Sequence, residues 1–237
     1  CAFDYNTHYS FGSGDRICHH GVSDMFRIPK FAAYAYTSQC DPSLKVVLEP
    51  ITLWTRGDKS KGGALPVIVA TNCDKVDLIV GGKRFGTYYP DKEAFPALPH
   101  PPVTVGVSGD EWGCSFFEIE FIGYLSDREV VRRKMTNVPV PTALAAIADD
   151  AELSADGIDV TRVVYKLVDQ EGNLMPYINE YIEFEIDGPG SIIGPSKTAL
   201  IGGCIGVWVK SSETAGKITL KAKCSRFAAK DIVITTK

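Results

Sequence analysis

Side chains able to do chemistry crowd the first twenty residues of this 237-residue chain. Asp4, Asn6 and His8 alternate along one short run, and Asp15, Arg16, Cys18, His19 and His20 come after them in a Gly/Ser-rich loop. Asp and Asn suit paired hydrogen bonds to vicinal hydroxyls, and the Tyr5 ring offers an apolar face for stacking. Against this stands a plainer reading in which the same groups only tie down a long loop, with Asp15 and Arg16 as a local ion pair. A metal is not called for, because the spacing of His8, Cys18, His19 and His20 matches no structural zinc pattern. A thiol nucleophile at Cys18 is equally weak, since sequence neighbours seldom form a Cys–His pair. Residues 1–39 contain no glutamate.

The elements that must position these groups come in the order strand, loop, helix. Cys1–Asn6 reads as a strand and Thr7–His20 as a loop. Pro29 then opens an Ala- and Tyr-rich segment, Lys30–Gln39, bounded by Cys40-Asp41-Pro42. Proline is well placed at a helix start because its missing N–H would have no partner there. This is one β/α unit, and one such unit cannot bury both of its faces. Residues 1–41 are therefore expected to be the tail of a larger domain. The helix is expected to pack on the first β-sandwich through Phe31, Tyr34 and Tyr36. The strand near Ala2–Asn6 is expected to find another edge, in its own chain or a neighbouring one, because an unpaired edge is adhesive.

After Pro42 the pattern is β. Val46–Ile51, Val67–Thr71, Val76–Val80 and Phe116–Tyr124 read as strands. In the last of these, Phe117, Ile119 and Phe121 alternate with Glu118 and Glu120, giving one dry face and one wet. Gly81-Gly82 supplies a left-handed hairpin turn. Residues Tyr89–Pro102 hold five prolines and read as a surface loop. Asn137–Pro141 reads as a stiff linker. Beyond it Val163, Tyr165 and Leu167 alternate with Val164 and Lys166, and then Ile182, Phe184 and Ile186, and Ile218, Leu220 and Ala222, alternate with mostly charged neighbours, as in a two-sheet sandwich. Of the three tryptophans, Trp208 reads as core, and Trp54 and Trp112 as core or interface before any sugar platform.

Several runs carry a family resemblance. Phe3-Asp4-Tyr5-Asn6-Thr7-His8, Phe11-Gly12-Ser13-Gly14-Asp15-Arg16, and Gly21-Val22-Ser23-Asp24-Met25-Phe26-Arg27-Ile28-Pro29-Lys30 continuing to Tyr36-Thr37-Ser38-Gln39 form the first. Together they resemble the last strand, loop and helix of the catalytic barrel in glycoside hydrolase family 2, with bacterial β-galactosidase-like enzymes closest. Val67–Gly86 resembles the small domain that comes after that barrel. Leu153–Asp159, Val168–Pro176 and Phe184–Gly190 resemble the family's last immunoglobulin-like domain, with a departure at Pro195-Ser196-Lys197. The resemblance implies a retaining glycosidase whose two catalytic glutamates lie on earlier barrel strands, upstream of Cys1. It also implies that Asp4, Asn6 and His8, at the C-terminal end of the last strand, line the pocket for a terminal β-linked sugar. It implies no cofactor.

The expected fold is therefore mainly β: two immunoglobulin-like sandwiches, at 42–138 and 139–237, preceded by a truncated strand–loop–helix segment at 1–41. The expected role is that of a non-catalytic C-terminal scaffold of a β-galactosidase. A freestanding carbohydrate- or protein-binding module is the alternative. Net charge of −4 offers no basic excess for nucleic acid. No apolar run approaches the roughly 20 residues that cross a bilayer. The seven cysteines include no C-x-x-C pair and suggest no disulfide framework. Compartment stays open, a periplasmic or secreted bacterial parent being compatible. Homo-oligomer contact is expected, if anywhere, at the first strand or a sandwich face.

Overall fold

The computed structural model describes residues 1–6, 16–54, 66–106 and 117–237. His8, Asp15, Trp112 and Cys114 lie outside the described residues. Contacts divide the chain into two compact units, one of residues 1–25 with 29–138, the other of Phe26–Ile28 with Pro139–Lys237.

The first unit begins with β1 (Tyr5–Asn6), which pairs antiparallel with β2 (Ile17–Cys18). Phe3 bridges Ser23 in parallel, and Ser23 bridges Pro29. The edges the first strand finds thus come from its own segment. The helix α1 (Phe31–Thr37) comes next. Alanines at 33 and 35 favour it, and Cys40-Asp41-Pro42 prevents its extension. Ala33 is its buried residue. Tyr34 is half-buried, its hydroxyl pushed up in pKa first by burial and then by the carboxylate of Glu49, with Arg133 opposing. Tyr36, expected to pack inward, is 70% exposed, and Phe31 is also exposed. Phe31, two residues before Ala33, falls on the opposite side of the helix; Tyr36, three residues after it, shares Ala33's side by spacing and yet stands in solvent at the helix's last turn.

Two sheets build the first sandwich. One pairs β3 (Leu48–Pro50), β4 (Val67–Thr71) and β7 (Val103–Val105), with β4 central. The other orders β5 (Lys75–Val80), β6 (Lys83–Tyr88), β8 (Ile119–Leu125) and β9 (Arg128–Met135) as β6-β5-β8-β9. Gly81 and Gly82 take φ of +55° and +76° at the β5–β6 turn, the mirror-image turn that suits strand twist. Val67, Val69, Leu78, Ile119 and Phe121 are fully buried between the sheets. Phe117 departs from the alternation: it precedes β8, is exposed, and accepts a 2.8 Å bond on its carbonyl from Trp54 Nε1. That bond lets Trp54, 2% exposed, enter the core with its polar atom satisfied.

The second unit stacks a sheet ordered β10-β12-β16-β14 on one ordered β11-β18-β17-β13-β15. In chain order these are β10 (Pro141–Ala148), β11 (Glu152–Leu153), β12 (Val160–Asp169), β13 (Tyr181–Asp187), β14 (Gly190–Ile193), β15 (Lys197–Ala199), β16 (Cys204–Ser211), β17 (Gly216–Cys224) and β18 (Ile232–Thr236). Val163, Tyr165 and Leu167 on β12 face Ile182, Phe184, Ile218 and Leu220 in one core. The Tyr165 and Phe184 rings lie 5.3 Å apart, tilted by 46°. Trp208 is not part of that core. Its position on β16 turns it to the outer face, where the Phe26 ring lies 6.5 Å away. Among the described residues no helix is long and apolar enough to cross a membrane.

Candidate functional site

Asp4 is the organising group of the first unit's N-terminal segment. The backbone on either side of it is held by strand-type bonds: Asp4 N–H donates to Ser23 O at 2.9 Å, Ser23 N–H to Ala2 O and Val22 N–H to Cys1 O, both at 3.1 Å. This register carries the side chain inward, where it is buried. Its Oδ1 accepts from Gly21 N–H at 2.9 Å and from Lys30 Nζ at 2.7 Å. His19 Nδ1 stands 3.5 Å from Oδ2. Lys30 Nζ also donates to His19 O at 3.2 Å. Burial pushes the Asp4 carboxyl up in pKa, but the Lys30 ammonium, the Gly21 N–H and His19 together outweigh it, and the net shift is below the ordinary carboxylate range. Asp4 is thus held ionised as one half of a clasp that joins the strand, the end of the loop and the start of the helix.

Gly21 makes the clasp possible by close approach. A Cβ there would stand 2.2 Å from both Asp4 N and Phe3 C, which are backbone atoms without freedom to yield. Asn6, at the other end of β1, is exposed, as is Tyr5. The structure therefore brings Asp4 and His19 together and leaves Asn6 facing outward. Sequence reasoning passes over Lys30 and Gly21. Gly21 reads as a loop glycine, and no spacing signal marks a lysine 26 residues from its carboxylate.

Elsewhere the chemistry is sparse. Cys18 is buried across the ladder from Tyr5. Among the described residues no three His, Cys, Asp or Glu side chains gather as a metal set. A cleft of about 190 Å³ on the second unit is lined by Glu183, Glu185, Lys221, Ala222, Lys223, Ala228, Ala229 and Asp231. No aromatic ring lines it, so it lacks the stacking surface a sugar platform needs.

The fold and this clasp define a class: a β-sandwich region led by a strand–loop–helix segment with a buried, lysine-paired carboxylate. Residues 144–233 match glycoside hydrolase family 2 C-terminal domain 5. A β-galactosidase of Thermoanaerobacterium thermosulfurigenes is 47% identical over 210 residues, covering 86% of this chain and 29% of that protein. A β-galactosidase of Rhizobium radiobacter is 39% identical over 122 residues, covering 52% of this chain and 88% of that protein. The chain belongs to glycoside hydrolase family 2. In fold it is similar to a β-glycosidase from Bacteroides vulgatus, with a TM-score of 0.71 at 22% identity over 99% of this chain and 30% of that one. The chain thus spans about three tenths of the length of the first of these relatives.

Proposed function

We propose that this chain serves as the C-terminal part of a retaining β-galactosidase, in which the two sandwiches support a catalytic barrel and residues 1–41 complete that barrel's last β/α unit. The 47% identity to a β-galactosidase, over residues that make up 29% of it, carries this reading. Retaining hydrolysis requires two carboxyl groups roughly 5–5.5 Å apart, an acid and a nucleophile. The N-terminal segment holds no glutamate to serve, and its buried aspartate is committed to Lys30 and Gly21. The acid and nucleophile are then supplied by residues outside these 237. The substrate is a terminal β-linked galactoside. Asn6 and His8 contribute contacts to that sugar, and Asp4 contributes by holding Gly21 and Lys30 in place.

The test is turnover of an aryl β-galactoside and an aryl β-glucuronide by the enzyme containing this chain and by the chain alone. The enzyme is expected to cleave the galactoside in clear preference, and the chain alone to cleave neither. Preference for the glucuronide would contradict the substrate assignment. Turnover by the chain would contradict the placement of the carboxyl pair.

A further inference from the structure

Six consecutive apolar residues, Ala94-Phe95-Pro96-Ala97-Leu98-Pro99, all lie exposed on the first unit, in the loop between β6 and β7. Phe95 is 44% and Leu98 40% exposed. An exposed apolar run of this length is a fault in a free surface unless a partner uses it. The loop is also stiff. Asp91 N–H donates to Pro102 O at 3.1 Å across its base. Within it Ala94 N–H donates to Asp91 Oδ1 at 2.9 Å, Phe95 N–H to Asp91 O at 3.1 Å, and Leu98 N–H to Phe95 O at 3.2 Å. Its five prolines fix further backbone angles. Such a loop has little conformational entropy left to lose when a partner meets it.

Helix α1, in the same unit, carries a second surface of this kind. Its sequence, Phe-Ala-Ala-Tyr-Ala-Tyr-Thr, holds no charged side chain, yet Ala33 is its buried residue and Phe31 and Tyr36 are exposed. A helix apolar all round belongs in an interior. The two surfaces are joined by Gln39, two residues beyond α1. Its Nε2 donates to His100 O at 2.8 Å, and its Oε1 accepts from His100 N–H at 3.0 Å. The same Nε2 donates to Ala35 O of the helix at 3.3 Å. The side-chain amide thus pairs with the loop backbone as a strand would, and the loop is fixed to the end of the helix.

We propose that residues 94–99, with Phe31 and Tyr36 of α1, form a docking ledge for the catalytic barrel of the same enzyme. This rests on the assignment of residues 1–41 to that barrel's last β/α unit. A barrel helix is flanked by the rest of its barrel, so a loop fixed to that helix shares its cover. This chain matches only 29% of its β-galactosidase relative, which leaves ample chain to supply the cover. The side of the barrel follows from direction. Catalytic groups gather where barrel strands end and helices begin, and helices end at the opposite face, where side chains serve stability. The loop is fixed at the C-terminal end of α1. The ledge therefore holds the barrel from the face away from the sugar.

Hydroxyl-radical footprinting of the enzyme containing this chain, and of the chain alone, reads the cover directly. Phe31, Tyr36, Phe95 and Leu98 are expected to be oxidised about fivefold or more slowly in the enzyme, as buried aromatic and aliphatic groups are at an interface. The double substitution Phe95→Asp with Leu98→Asp is expected to speed heat inactivation of the enzyme about fivefold. It should leave the unfolding of the chain alone unchanged, since both residues are exposed there. The enzyme's kcat and KM at 25 °C should stay within about twofold, because no group near the sugar is touched. Equal oxidation in chain and enzyme overturns the proposal. Protection that appears in the chain alone and grows with its concentration assigns the cover to a second copy, and overturns it too. A KM raised by the double substitution in an enzyme that still folds would overturn the placement away from the sugar. If the enzyme cleaves no aryl β-galactoside, the proposed function falls, while the footprint still decides whether the ledge is covered.

Discussion

Phe121→Ala is expected to cost the first sandwich about 3–5 kcal/mol, the range for removing a fully buried aromatic from a core that relaxes only in part. Phe121 sits mid-strand on β8, fully buried. On one side it pairs with Leu78 and on the other with Arg133, so neither neighbouring strand is free to collapse into the void. Set against a typical domain stability of roughly 5–15 kcal/mol, the loss takes a large share. Because the chain has two units, a single unfolding midpoint would blend two events. The measurement is therefore urea-dependent hydrogen exchange of the β8 and β17 amides side by side. The β8 amides should lose protection at much lower urea, and those of β17 should not. A loss under about 1 kcal/mol at β8 would show that the site is not the packed centre described.

Gly21→Ala is expected to have the opposite profile, with little effect on the sandwiches and a severe one on the N-terminal segment. The added methyl group would meet Asp4 N and Phe3 C at 2.2 Å, so the strand and loop must part. Parting them removes the Gly21 N–H bond to Asp4 and draws Lys30 away from its carboxylate. An ionised carboxylate left buried without its partners is costly, and the segment should open instead. Exchange protection at Asp4, Val22 and Ser23 should vanish while β8 and β17 amides keep theirs. In the enzyme that contains this chain, kcat/KM for an aryl β-galactoside should fall by about 100-fold, in keeping with misplacement by an ångström near a pocket. Full activity in Gly21→Ala would mean that the clasp does not shape the proposed sugar pocket.

The sandwiches were legible because burial on one face imposes a period of two on the sequence. Val163, Tyr165 and Leu167 announce β12 in this way, and all three are fully buried. Gly81-Gly82 announces its hairpin for a separate reason, since only glycine takes consecutive left-handed angles freely. Where the period misled, the cause was local. Phe117 extends the alternation of β8 by one position, but the chain there serves Trp54 through its carbonyl rather than its ring. Trp208 sits in an apolar run that reads as core on both sides. It faces outward because a segment about 180 residues earlier in the chain covers it, and no local pattern encodes a cover so distant.

The candidate site was legible by residue type and less so by role. Asp4 stands out as a hydrogen-bonding group, but the composition of residues 1–8 cannot distinguish a carboxylate that meets a ligand from one that meets a lysine. Lys30 and Gly21 carry no signal of their own. Gly21 matters through a backbone approach, which leaves little trace in side-chain spacing, and Lys30 through an ion pair with a carboxylate 26 residues away. Tyr36 misled because helix propensity places the helix without fixing which face turns inward.

The central claim is that these 237 residues shape a sugar-cleaving site without supplying its reacting carboxyl groups. A mechanism-based inactivator that traps the glycosyl ester on the nucleophile, with peptide mapping of the labelled enzyme, tests it most directly. The label is expected on a glutamate outside this chain, with every peptide of Cys1–Lys237 unmodified. A label on any carboxylate within the chain would contradict the account.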